Sequence, residues 1–167
     1  MYKNNSIRNH SGFTLIEVVI VVGLIGVILT IVTLNFQRLR EKYTVESDVK
    51  EIYSILMKAR NDASKTNIPQ LVRLNANQLV TGPDAASDGT FDGSTASTDY
   101  PRFNMNCGNN PCVNKHVIFD RRGLANVGLT ISITDFSSGT TPVMDCIAIS
   151  ATRINIGKMN GVNCVQR

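Results

Sequence analysis

The pattern of apolar and polar positions changes twice along the chain. Residues 13–34 read FTLIEVVIVVGLIGVILTIVTL, an apolar run with one charge, Glu17. A helix rises about 1.5 Å per residue, so this run covers about 33 Å. That is long enough for a hydrocarbon core of about 30 Å. Beyond it, Leu39, Tyr43, Val49, Ile52, Tyr53, Leu56, Ala59 and Ala63 recur in mostly helical steps between charged residues, with a gap at Glu46. No proline precedes Pro69. The pattern predicts one helix from about Phe13 to about Lys65, apolar all round in its first half and amphipathic in its second. Gly23 and Gly26 weaken it. They serve either close helix packing or local unwinding.

After Pro69 the period becomes two. Gln70–Leu74 and Gln78–Thr81 flank Asn75-Ala76-Asn77, which predicts a hairpin. Residues 82–115 are rich in Gly, Ser, Thr, Asp, Asn and Pro and read as a long loop. His116–Asp120, Gly128–Thr134, Val143–Ala151 and Arg153–Gly157 follow as strand candidates. One long helix followed by six short strands predicts an α+β chain. The helix packs its apolar stripe on a C-terminal antiparallel β-sheet domain.

Composition narrows the function classes. The 167 residues are 43% hydrophobic and 18% charged, with a net charge of +4. One long apolar run against an ordinary polar remainder excludes both a plain soluble globule and a multi-span membrane protein. The run is too long for a secretory h-region, and no small-residue cleavage site follows it. Lys3 and Arg8 precede the run and Arg38, Arg40 and Lys42 follow it, so flanking charge leaves its orientation open.

The four cysteines, Cys107, Cys112, Cys146 and Cys164, all lie beyond the run. An even count in an exported domain favours disulfides. Three pairings exist. Cys107–Cys112 across Gly-Asn-Asn-Pro, with Cys146–Cys164 tying the tail to a strand, is the preferred one. A zinc site fits poorly, because four residues separate the first pair and seventeen the second. Asp84, Asp88, Asp92 and Asp99 offer oxygen ligands, but their spacing is not that of a calcium loop, and a solvated polar loop is the favoured reading. No cofactor is expected. His116 is the only histidine after His10, and no catalytic triad, phosphate loop or metal box is visible, so the chain reads as a non-enzyme.

Gly12-Phe13-Thr14-Leu15-Ile16-Glu17 resembles the prepilin processing motif of type IV pilins and type II secretion pseudopilins. The resemblance implies that a prepilin peptidase cuts a short leader between Gly12 and Phe13 on the cytoplasmic side, and that the new Phe13 amine is methylated. It implies an inner-membrane protein with a single span, a cytoplasmic N-terminus and a periplasmic domain. Glu17 is the fifth residue after the cut. In the family that glutamate pairs with the methylated amine of an adjacent subunit, which avoids leaving either charge buried alone. Loss of the leader removes Lys3 and Arg8 and lowers the side-chain charge from +4 to +2.

A second resemblance covers more of the chain. Ala59-Arg60-Asn61-Asp62-Ala63 before a hairpin, His116-Val117-Ile118-Phe119-Asp120-Arg121-Arg122-Gly123, and Ser150-Ala151-Thr152-Arg153-Ile154 are similar to GspH/FimT-type minor pilins. The family often has Gly-Arg near the last strand, where this chain has Thr152-Arg153. The expected organisation is a leader at 1–12, a membrane and assembly helix at 13–34, an amphipathic half at 35–66 and a β-rich periplasmic domain at 67–167. The implied partners are other pilin or pseudopilin subunits, prepilin peptidase, the inner-membrane assembly platform, and lipid before assembly. The alternative function is a minor pilin that binds DNA for uptake, through Arg121, Arg122, Arg153, Lys158 and Arg167. A membrane-anchored adhesin or enzyme without an assembly role is a third and weaker alternative.

Overall fold

The computed structural model describes residues 13–166, apart from the side chains of residues 31–35. The leader, Gly12 and Arg167 therefore lie outside the described residues. The chain forms two compact units, one ending at Gln37 and one beginning at Arg38. Each is described by itself.

Helix α1 spans Leu15–Thr66. In the first unit its apolar side chains from Leu15 to Leu29 are exposed. A Cβ added at Gly23 or Gly26 would meet nothing within 4 Å. Among the described residues no helix is long and apolar enough to cross a membrane. The expected span 13–34 runs on into residues 31–34, whose side chains lie outside that set.

In the second unit α1 buries Val45, Val49, Ile52, Leu56, Ala59 and Ala63. These steps of four and three keep the stripe on one helix face. Leu39 and Tyr43 do not belong to it and are 45% and 60% exposed. With 3.6 residues per turn, Tyr43 points about 160° away from Val45. The gap at Glu46 closes because Val45 is the first residue of the buried stripe.

Among the described residues ten strands follow the helix: β1 (Gln70–Asn75), β2 (Gln78–Pro83), β3 (Ala96–Asp99), β4 (Met105–Cys107), β5 (Asn110–Pro111), β6 (Lys115–Phe119), β7 (Leu129–Ile133), β8 (Cys146–Ile149), β9 (Ile154–Asn160) and β10 (Asn163–Gln166). They form two antiparallel sheets rather than one. The first has the order β3-β2-β1-β6 and the second β10-β9-β8-β7-β4-β5. Val72, Leu74 and Leu79 from the first sheet and Ile131, Ile133, Ile147 and Ile149 from the second share one core with the helix.

The expected loop 82–115 contains β3, β4 and β5. These are short, and all three include residues that ordinarily disfavour strands, Asp99, Asn106, and Asn110 with Pro111, so their alternation is hard to see. The stretch between β2 and β3 folds over the first sheet. Phe91 lies under the Arg73 guanidinium at 4.7 Å, and Arg73 donates to the Gly89 carbonyl at 2.9 Å. Gly82 leaves room for this contact, since a Cβ there would sit 2.9 Å from the Phe91 ring.

Two disulfides close the second unit. Cys107–Cys112 staples the β4–β5 hairpin. Cys146–Cys164 joins β8 to β10 across the intervening β9. Gly157 on β9 lies in register with Cys146, and a side chain there would strike the Val165 carbonyl and the Cys164 sulfur.

Candidate functional site

The N-terminal end of α1 is built by Thr14. The Glu17 N–H donates to the Thr14 carbonyl at 3.1 Å and to Thr14 Oγ1 at 3.3 Å. Thr14 is thus the N-cap and Glu17 the third helical residue, the spacing of a capping box. The Glu17 carboxylate also sits in the first turn, where a negative charge complements the helix dipole. Phe13 is 83% exposed. Together with Glu17, Val18, Val21 and Val22 it lines a hollow of about 240 Å³. This end of the helix therefore offers an aromatic ring, a valine face and one carboxylate. That surface is suited to a second apolar helix that brings a positive charge. Thr14 is the functional residue that sequence reading passed over, although its signal, Thr-x-x-Glu before an apolar run, was present.

The four acidic candidates for calcium are each engaged by the protein. Asp84 is fully buried and accepts the N–H groups of Asp88 and Gly89, both at 3.0 Å. Asp88 accepts from Thr90, Asp92 from the Ala86 N–H and Asp99 from Gln78. The Thr90 hydroxyl and N–H hold the Asp88 carboxyl below its usual range. Among the described residues no group of three or more His, Cys, Asp or Glu could hold a metal ion.

The basic candidates are divided between elements. Arg121 and Arg122 occupy the turn after β6, beside the first sheet, and Lys158 lies in β9 of the second. Arg153 immediately precedes β9 and packs its backbone against Ser150. Arg122 pairs with Asp120 at 3.3 Å, and Asp120 caps the turn by accepting the N–H groups of Arg122 and Leu124. Those backbone donors, led by Leu124, hold the Asp120 carboxyl below its usual range.

A further pair of helix carboxylates fixes the loop before β8. Glu41 accepts from Ser137 Oγ at 2.7 Å and Thr140 Oγ1 at 2.9 Å, and Glu46 accepts from the Val143 N–H at 2.9 Å. The Ser137 and Thr140 hydroxyls lower the Glu41 pKa. No local signal marks these residues, because the partners lie 96 to 99 positions apart.

Residues 7–33 match the prokaryotic N-terminal methylation motif. The fold aligns with the crystal structure of the type IV minor pilin FimU from Pseudomonas aeruginosa, with a TM-score of 0.55 and 18% identity over 75% of this chain and 96% of that one. A second crystal form of FimU aligns with a TM-score of 0.53 and 18% identity, over 72% and 97%. The fold is that of a type IV pilin-like protein. No curated protein sequence matches it. The long helix against antiparallel sheets, expected from the hydrophobic pattern, is thus a pilin-like architecture. In this pilin-like chain the matched motif includes Phe13, Thr14 and Glu17, the residues that build the start of α1.

Proposed function

We propose that the chain is a minor pilin or pseudopilin, a structural subunit that prepilin peptidase processes between Gly12 and Phe13. The Phe13 amine is then methylated. Residues 13–34 hold the subunit in the inner membrane, with its N-terminus cytoplasmic and its domain periplasmic, until an inner-membrane assembly platform extracts it. It enters a type IV pilus or a type II secretion pseudopilus, within a tip or initiation complex, and it acts there as a non-enzymatic component.

The observation that carries this reading is the conjunction at the helix start. A methylation motif covers residues 7–33, and within it Glu17 shares a hollow with Phe13 on an otherwise apolar stretch of the helix. A carboxylate in such surroundings is costly unless a cation pairs with it. The methylated amine of a neighbouring subunit supplies that cation. Replacing Glu17 by Ala tests the role. Membrane fractionation is expected to show normal insertion, while the sheared filament fraction loses the subunit at least about tenfold, as for an unpaired buried charge. Equal incorporation of the variant would remove the role assigned to Glu17. The DNA-uptake alternative gains no specific support. Its described cations are divided between the turn after β6 and the region of β9.

A further inference from the structure

The C-terminal turns of α1 and the turn after β6 enclose a groove of about 520 Å³, with Met57, Lys58, Arg60, Asn61, Ser64 and Arg122 in its wall. No carboxylate lines it. Arg122–Asp120 is the only ion pair among the described residues, so Lys58 and Arg60 have no carboxylate within 4.0 Å there. Three cations, Lys58, Arg60 and Arg122, line the groove, and two acids, Asp120 and Asp62, contact them or share a cavity with one of them. One acid is Asp120, which Arg122 and the turn backbone already occupy. The other is Asp62, which lines a separate cavity with Lys58.

The turn packs closely on the helix beside the groove. Gly123 has φ +74°, and a Cβ there would sit 2.7 Å from Ser64 Oγ and 3.2 Å from the Arg60 carbonyl. The turn is therefore pressed directly onto the helix. Asp120 accepts from Arg122 Nε and Nη2 at 3.3 Å each, while the Arg122 side chain stays 80% exposed. The guanidinium fork matches a carboxylate.

We propose that this groove is a docking site for an acidic segment of another protein, whose carboxylates meet Arg60, Arg122 and Lys58 while Met57 contacts the aliphatic part of the segment. The proposal does not depend on the assembly role of Glu17. A protein segment fits better than a nucleic-acid duplex. A duplex presents a file of phosphates and needs cations spread along it, whereas these cations converge on one short groove that also contains a methionine.

The test uses the full chain in detergent micelles and fluorescence anisotropy of a peptide of sequence GDEGDEGDEG carrying an uncharged dye. The same peptide with Asn and Gln in place of Asp and Glu, and a short DNA duplex, are run beside it. The acidic peptide is expected to bind and the amide peptide not to bind, with affinity falling as salt rises. The exposed-site variant Lys58→Gln is expected to weaken binding several-fold, and Arg60→Gln with Arg122→Gln by about tenfold or more, as expected for charge-assisted bonds. Arg122→Lys keeps the charge and loses the fork, and is expected to weaken binding by an intermediate amount. Lys158→Gln, on the second sheet, is expected to change nothing. Absence of peptide binding, equal losses with Lys58→Gln and Lys158→Gln, or tighter binding of the duplex through the same residues would each overturn the proposal.

Discussion

Thr14 and Glu17 close the start of α1, and the proposed assembly role falls on the same glutamate. The backbone N–H of Glu17 closes the helix cap on Thr14, while its side chain is left for another partner. Thr14→Ala removes the Oγ acceptor and is expected to cost about 0.5–2 kcal/mol of helix-start stability, seen as faster amide exchange at Leu15–Glu17. Glu41 makes a different kind of contact. Its carboxyl pKa is lowered by the Ser137 and Thr140 hydroxyls. A depressed acid stabilises the folded state above its unfolded pKa and loses that contribution as pH falls through the folded value. Protection of the 137–140 loop is therefore expected to persist at neutral and mildly acidic pH and to disappear below the usual glutamate range. Proton exchange measured across an acid titration would check this. Tyr100 is buried, and its hydroxyl has no hydrogen-bond partner among the described residues. Burial, then the charges of Glu51 and Asp48, push its pKa up. Tyr100→Phe removes an unsatisfied polar atom and is expected to raise stability by up to about 1 kcal/mol in a chemical melt. Of these residues, Thr14 and Glu17 carry a local signal, Thr-x-x-Glu before an apolar run. Glu41 and Tyr100 acquire their roles from contacts that no window of sequence contains.

At the level of elements, the helix and the strands differed in how openly they declared themselves. The buried stripe of α1 repeats every three or four residues, so its existence and length were readable, though Val45 rather than Leu39 and Tyr43 begins it. The hairpin of β1 and β2 was readable from Asn75-Ala76-Asn77, and it pairs Asn75 with Gln78. β10 was missed because Asn163–Gln166 has little apolar alternation. It owes its place to the Cys146–Cys164 bridge and to pairing with β9. Two glycines are decisive in this scheme. Gly157→Ala would drive a methyl into the Val165 carbonyl and the Cys164 sulfur. It is expected to cost about 1–3 kcal/mol, with exchange rates rising first in β10. Gly123→Ala meets both a positive φ and the Ser64 and Arg60 contacts, and is expected to loosen the turn that presents Arg122 at a similar cost. Circular dichroism melts of the two variants would separate these effects, since only Gly157→Ala should sensitise the Cys146–Cys164 disulfide to reductant.

On the scale of the whole molecule, the chain divides its labour between two units. The one beginning at Arg38 holds the core, both sheets and both disulfides. The one ending at Gln37 displays apolar side chains outward from Leu15 to Leu29. Such exposed surface is stable only when lipid or other helices cover it. The α+β class was legible because the hydrophobic period changes once, from helical to alternating. The division into two sheets was not, since strand order depends on long-range pairing such as β1 with β6 and β4 with β7. The central claim is that this apolar helix becomes an assembly element once the leader is removed. Intact-mass spectrometry of the full chain, expressed with and without prepilin peptidase, tests it most directly. The account predicts that the enzyme converts the chain to one starting at an N-methylated Phe13, and that its absence leaves residues 1–12 attached. A mature protein that retains Met1 through Gly12 in the presence of the peptidase would contradict it.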